Sequence, residues 1–210
     1  GVDKDLFTLT FDGLNASLTS SSKDYELPED SDANNVYLVS LNFSDDLNTT
    51  SQEVEISILN KNDNSPNILT SGVMSIAENV SLGFTAEAND ADNDQITYSI
   101  SQGDSSLFII TDDNTISFIE APNYENPSDT NKDNIYQMIL SASDGLNISS
   151  KSVQLIVGNV NEAPVWTSYP LNIDHEENAQ VVYEFITGNA GTSGIAFDED
   201  GDDLDYGSTL

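Results

Sequence analysis

Cysteine and arginine are absent from the 210 residues, and histidine and tryptophan occur once each. Without cysteine there can be no disulfide, no thiolate nucleophile and no zinc site of the cysteine type, although the absence leaves the compartment open. Five lysines stand against 37 aspartates and glutamates, a formal net charge of −32. A chain this acidic has no basic footprint for a phosphate backbone or an anionic bilayer, which excludes nucleic acid and anionic membranes as partners. Cations or cationic surfaces fit it instead. No apolar run approaches the roughly 18 to 20 residues of a membrane span, so no direct membrane insertion of this segment is expected. The opening Gly1-Val2-Asp3-Lys4 carries neither an initiator methionine nor the apolar core of a signal peptide, so the chain reads as a piece of something longer. A content of 37% hydrophobic residues still suffices for a core, which makes disorder the weaker reading of the charge.

What is present is an internal repeat. Asp24-Tyr25-Glu26 recurs as Asn123-Tyr124-Glu125, Tyr37 as Tyr136 and Asp45 as Asp144, all at an offset of 99 residues. Leu6-Phe7 recurs as Leu107-Phe108, and the alternating Val54, Ile56, Ile58 as Val153, Leu155, Val157. The segment Asn60-Lys61-Asn62-Asp63-Asn64-Ser65-Pro66 returns, one residue shorter, as Asn159-Val160-Asn161-Glu162-Ala163-Pro164. Further on, Ala77-Glu78-Asn79 matches Glu176-Glu177-Asn178, and Asp90-Ala91-Asp92-Asn93-Asp94 matches Asp198-Glu199-Asp200-Gly201-Asp202. The repeats divide the chain into the back part of one unit (1–66), a complete unit (67–163) and the front of a third (164–210).

Inside the complete unit the apolar period is 2. Tyr136, Met138, Leu140 and Ala142 alternate with other residues, as do Val153, Leu155 and Val157, while 95–101 and 115–119 are short β-rich runs bounded by Asn, Asp and Gly. About seven strands and no convincing helix predict an all-β fold, a β-sandwich repeated in tandem.

The acids cluster at strand ends and at the unit boundaries. Hard cations take six to eight oxygen ligands from carboxylates, amides and carbonyls, and Asp90-x-Asp92-x-Asp94 with its copy at 198–202 supplies alternating oxygens around one ion. An EF-hand would need Gly at position six and Glu at position twelve, where the chain has Gln95 and Ser101 in one copy and Asp203 and Thr209 in the other. A merely solvated acidic surface does not explain repetition at matching offsets.

These motifs, in this order, resemble the cadherin family over essentially the whole chain. Asn60 and Asn62-Asp63-Asn64-Ser65-Pro66 resemble its DxNDNxP linker, and Asp90 and Asp92 its DxD. Asp45 and Asp144 are similar to the acid after its sixth strand, Glu26 and Glu125 to the acid of its Leu-Asp-x-Glu element, and Glu78 and Glu177 to its early Glu. Asn stands for the first Asp of the linker, Asn123 for another Asp, and the second linker lacks its leading Asp and second Asn. The absent arginine and the abundant Asn and Ser look more like cadherin-like repeats of large bacterial surface proteins.

The resemblance implies seven-stranded Greek-key sandwiches, Ig-like in outline, joined by calcium. For the first junction it implies ligands from Glu26, Asn62, Asp63 and the backbone of Asn64, with Asp90, Asp92 and Asp144. For the second it implies Glu78, Glu125, Asn161 and Glu162 with Asp198 and Asp200. It further implies an extracellular or cell-surface location, no catalysis, and a role as an adhesive segment or calcium-rigidified spacer with a homophilic or heterophilic protein partner or a carbohydrate ligand.

A rival reading is a carbohydrate-binding module of a secreted polysaccharide-degrading protein. Its mark would be an exposed aromatic row, which Tyr25, Tyr124, Trp166 and Tyr169 do not evidently form. Trp166 aligns with Ile68 and is expected to pack in a first strand. His175 has no recognisable nucleophile beside it and reads as an exposed loop residue. Gly188, Gly191 and Gly194 have no following lysine to hold a phosphate and read as a strand-connecting loop. The two partial units leave open strand edges, from which a strand-swapped oligomer is expected.

Overall fold

The computed structural model describes residues 1–45, 47–166, 177 and 196–204. His175, Tyr169, Glu176 and the three glycines between 188 and 194 fall outside them, as does most of the segment on which strand swapping depends. Contacts gather the chain into two compact units: Gly1–Leu69, Ala88–Thr97 and Ala142–Ser149 in the first, Thr70–Glu87, Tyr98–Ser141 and Ser150–Leu210 in the second.

Fifteen strands form among the described residues: β1 (Thr8–Phe11), β2 (Ala16–Thr19), β3 (Val36–Ser44), β4 (Thr49–Ser57), β5 (Asn67–Ile68), β6 (Val73–Ala77), β7 (Leu82–Thr85), β8 (Ala88–Asn89), β9 (Thr97–Ser101), β10 (Phe108–Ile110), β11 (Thr115–Phe118), β12 (Ile135–Ser143), β13 (Ile148–Gly158), β14 (Val165–Trp166) and β15 (Ala196–Phe197). The helical content among them is two single 3-10 turns, Lys4–Leu6 and Ser105–Leu107. The fold is an all-β sandwich.

In the second unit the strands form a four-stranded sheet in the order β6-β13-β12-β9 and a three-stranded sheet in the order β10-β11-β7. β6 runs parallel to β13, from Val73 opposite Gln154 to Ala77 opposite Gly158, while β11 is antiparallel to both its neighbours. Alternation buries Tyr136, Met138, Leu140 and Ala142 along β12 and Val153, Leu155 and Val157 along β13. The other sheet answers with Phe108, Ile116 and Phe118. Phe118 meets Tyr136 edge to face at 4.9 Å, so the aromatic contact fastens one sheet to the other.

The first unit holds two antiparallel hairpins, β1–β2 and β3–β4, and the short antiparallel pair β5–β8. Tyr37 and Val39 are buried on β3, with Phe7 edge-on to Tyr37 at 5.7 Å. Asp12-Gly13-Leu14-Asn15 closes the first hairpin, where Asp12 Oδ1 accepts the N–H groups of Leu14 and Asn15. Asp45 does the same for Leu47 and Asn48, and Asp144 for Leu146 and Asn147. Gly13 and Gly145 sit at φ +94° and +96°, which a side chain would strain.

The repeat extends to buried acids that serve the backbone. Asp3 accepts the N–H groups of Ser31 and Leu38, and Asp104 those of Thr130 and Gln137. Asp30 accepts from Asn34 and Asn35, and Asp129 from Asp133 and Asn134. Asp129→Ala therefore leaves two N–H groups without a partner and is expected to cost about 2 to 4 kcal/mol, read as a lower urea midpoint at unchanged slope.

Trp166 lies in β14 opposite Ala196 of β15 but is exposed, where a packed first-strand position was expected. Β14 has only two residues, and among the described residues its partner is the equally short β15, so no sheet face covers the ring.

Candidate metal centre

Two carboxylate clusters assemble from equivalent positions of the repeat. In the first unit Glu26, Asp63 and Asp92 bring carboxylate oxygens within 4.8 Å of one another, and Asp90, Asp92 and Asp94 form an overlapping group under the same limit. In the second unit the members are Glu78, Glu125, Glu162 and Asp200. Glu125 and Glu162 follow Glu26 and Asp63 by 99 residues, and Asp200 follows Asp92 by 108.

In the first cluster the linker is wound around one buried acid. Asp92 Oδ2 accepts the N–H groups of Asp63 at 3.0 Å and Asn64 at 2.7 Å, and Oδ1 accepts the Asn64 side-chain amide at 3.0 Å. The Asn60 amide donates to the Asp92 carbonyl at 2.6 Å. Burial opposes ionisation of Asp92, but the donors from Asn64 and Asp63 outweigh it and hold the carboxyl below the usual range. Asp90 Oδ1 accepts the N–H groups of Asp92 and Asp94, which leaves Asp90 Oδ2 buried with no partner. Glu26 Oε1 is likewise buried and unpartnered, and burial followed by the nearby Asp92 carboxylate pushes Glu26 above the usual value.

Asp144 and Asn62 stand at the edge of this arrangement. The Asn147 amide donates to Asn62 Oδ1, to the Asn64 carbonyl and to Asp144 Oδ2. Burial opposes ionisation of Asp144, yet its turn, led by Asn147, brings it down to about 2.

The second cluster centres on Glu78, which is 1% exposed. Its Oε2 accepts the N–H of Tyr124 at 2.6 Å and its Oε1 that of Val160 at 2.8 Å, so one side chain ties three segments together. Asp200 Oδ2 accepts the Glu162 N–H at 2.7 Å, the Asn159 amide donates to Glu125 Oε1, and the Asn79 amide donates to Glu162 Oε1. Glu125 Oε2, Glu162 Oε2 and Asp200 Oδ1 remain buried with no hydrogen-bond partner. Burial first, then the charges of Glu78 and Asp200, push Glu125 and Glu162 above the ordinary carboxylate value.

Asp198 and Asn161 are not drawn into the four-acid group. Asp198 is buried, with Oδ1 accepting the Asp202 N–H, and the Asn161 amide donates to the Glu162 carbonyl. Asn79 and Asn147 belong to the two assemblies and were given no ligand role from sequence, whereas Asp94 and Asn60 stand in motifs read there. Asn147 had a readable signal, since it closes the turn that begins at the matched acid Asp144.

Buried oxygens need donors or cations. Among the described residues the ion pairs are Lys4–Asp5, Lys23–Glu29 and Lys61–Asp63, none of them in the second cluster. Three unpartnered carboxylate oxygens among four acids, with only oxygen donors around them, fit a hard divalent cation such as calcium and no soft metal.

No family model and no curated protein matches the sequence. Solved structures do: 111 chains match, and the cadherin-type segments among them share the cadherin-like β-sandwich fold of this chain. The EC1-2 segment of human protocadherin-24 superimposes with a TM-score of 0.54 at 23% identity, over 76% of this chain and 80% of that one. Mouse protocadherin-24 EC1-3 gives 0.56 at 21%, over 93% and 63%. Protocadherin gammaB7 EC3-6, solved as a cis-dimer, gives 0.58 at 20%, over 92% of this chain and 48% of that one.

Proposed function

We propose that the chain is a calcium-binding segment of cadherin-like repeats, 1–66, 67–163 and 164–210, from a large extracellular or cell-surface protein. The observation that carries this reading is the second cluster, where four mutually repelling carboxylates keep three buried oxygens without a donor. Glu78, Glu125, Glu162 and Asp200 would hold the ion there, with Asn161 and Asp198 as further oxygen donors from the same loops. Glu26, Asp63, Asp90 and Asp92, with Asn62, the Asn64 backbone and Asp144, would do so in the first unit. The ion supplies positive charge that cancels the repulsion and fixes the linker on its neighbouring loops. The role is mechanical rather than catalytic: a rigidified spacer or adhesive segment that meets a protein or a glycan.

Asp92→Ala is expected to abolish the calcium signal of the first cluster in titration calorimetry. Asp113→Ala, whose carboxylate only closes the turn before β11 through Thr111 and Thr115, is expected to leave calcium binding unchanged. Equal losses in the two variants would remove the cluster from the ion site.

A further inference from the structure

The two clusters differ in one respect that the repeat makes directly comparable. Lys61 Nζ lies 3.6 Å from Asp63 Oδ2, and Lys61 and Asp63 border a cavity of about 390 Å³ together with Lys23, Tyr25, Glu26 and Asn64. Lys23 has its side chain only 4% exposed, paired with Glu29 at 2.5 Å and lying over the Tyr37 ring at 5.4 Å. Two of the five lysines in a chain of charge −32 thus stand on the wall of the first cluster. At the same offset of 99, Lys23 becomes Pro122 and Lys61 becomes Val160, and among the described residues no cation pairs with the second cluster.

We infer that Lys61, backed by Lys23, is a built-in competitor that sets the first cluster to load with divalent cation only after the second is filled. This rests on the calcium reading above and adds an order to it. An ammonium beside a ligand carboxylate already cancels part of the charge that an incoming ion would neutralise, and it repels a divalent ion twice as strongly as a monovalent one. The second cluster offers four carboxylates too but, among the described residues, no such cation beside them, so it takes the ion at lower concentration. A segment built this way stiffens in two stages as calcium rises.

The repeat supplies its own reciprocal exchange. Lys61 and Val160 are both exposed, so Lys61→Val and Val160→Lys each install the residue found at the matching position without disturbing a core. Titration calorimetry on the intact chain, with calcium as the probe, is expected to give two affinity classes. Lys61→Val should tighten the weaker class by about threefold to tenfold, the size expected for one mostly solvated unit charge beside a ligand. Val160→Lys should weaken the tighter class by a similar factor, and the double variant should bring the two classes together or reverse them. Far-ultraviolet circular dichroism in chelator checks that each variant remains folded. Two classes that neither substitution moves would overturn the role of the lysine and leave the calcium reading standing. No calcium heat in the parent chain or in any variant would overturn both.

Discussion

Calcium added to chelator-stripped protein is expected to raise the melting temperature by roughly 5 to 10 °C for each site filled at a hundredfold excess over Kd, while sodium at equal ionic strength does far less. An ion that binds only the folded chain stabilises it by about 2.7 kcal/mol at that excess, and a chain of this size gains roughly 2 to 4 °C per kcal/mol. Differential scanning calorimetry reads the shift directly, and equal responses to the two ions would reduce the clusters to a screened acidic surface. The pH dependence should change sign with the ion. In chelator, Glu26, Glu125 and Glu162 sit above their ordinary value of 4.5. Their contribution is fully present below 4.5 and is lost as pH rises through the raised values. Asp104, Asp113 and Asp144 sit below 3.8, Asp144 at about 2, so theirs is present above 3.8 and is lost as pH falls. Stability without calcium should therefore be greatest between pH 3.8 and 4.5, falling as pH drops below that window and as it rises through the raised values. With calcium bound the same glutamates must stay ionised, so acidification toward their raised values should destabilise the chain instead.

Glu78→Ala is expected to be the most damaging single substitution at the site. It strands the N–H groups of Tyr124 and Val160, both of which now end on its carboxylate, and opens a void where the side chain is almost wholly enclosed. Two unsatisfied donors at about 1 to 3 kcal/mol each predict a loss of roughly 2 to 6 kcal/mol even in chelator. Calcium should then recover less of the melting temperature than in the parent chain, because the tighter site has lost a ligand. Glu162→Ala separates the two effects: among the described residues Glu162 Oε1 accepts only the Asn79 side-chain amide, so its removal should spare stability in chelator and still weaken calcium binding.

The sandwich was legible because its signal is local: alternation along β12 and β13 survives in the bare sequence as Tyr136, Met138, Leu140 and Val153, Leu155, Val157. Glu26, Glu125, Asp92 and Asp200 could also be matched, since copies of one loop fall at fixed offsets. Repetition alone does not say what a carboxylate does. Asp30 and Asp129 repeat as faithfully as Glu26 and Glu125, yet both of their oxygens end on backbone N–H groups. Asp144 carried a clue in Asp12-Gly13-Leu14-Asn15, the same tetrapeptide type in a hairpin with no linker beside it, which marks the motif as a turn in its own right. The Lys61-to-Val160 exchange was visible in the alignment of the two linkers, but it acquires meaning only once Lys61 is seen 3.6 Å from Asp63.

The parallel pairing of β6 with β13 bears on how the middle repeat transmits a pull. The two strands lie at opposite ends of the repeat in sequence and run side by side in the same direction through five residue pairs. Tension applied along the chain draws β6 toward Val73 and β13 toward Gly158, so the strands are dragged past each other lengthwise. Every hydrogen bond between them is loaded at once, whereas a hairpin pulled from its open end yields one rung at a time. The middle repeat therefore resists stretching as a clamp, through the ladder between residues 73–77 and 154–158 and the Glu78 bonds that extend it.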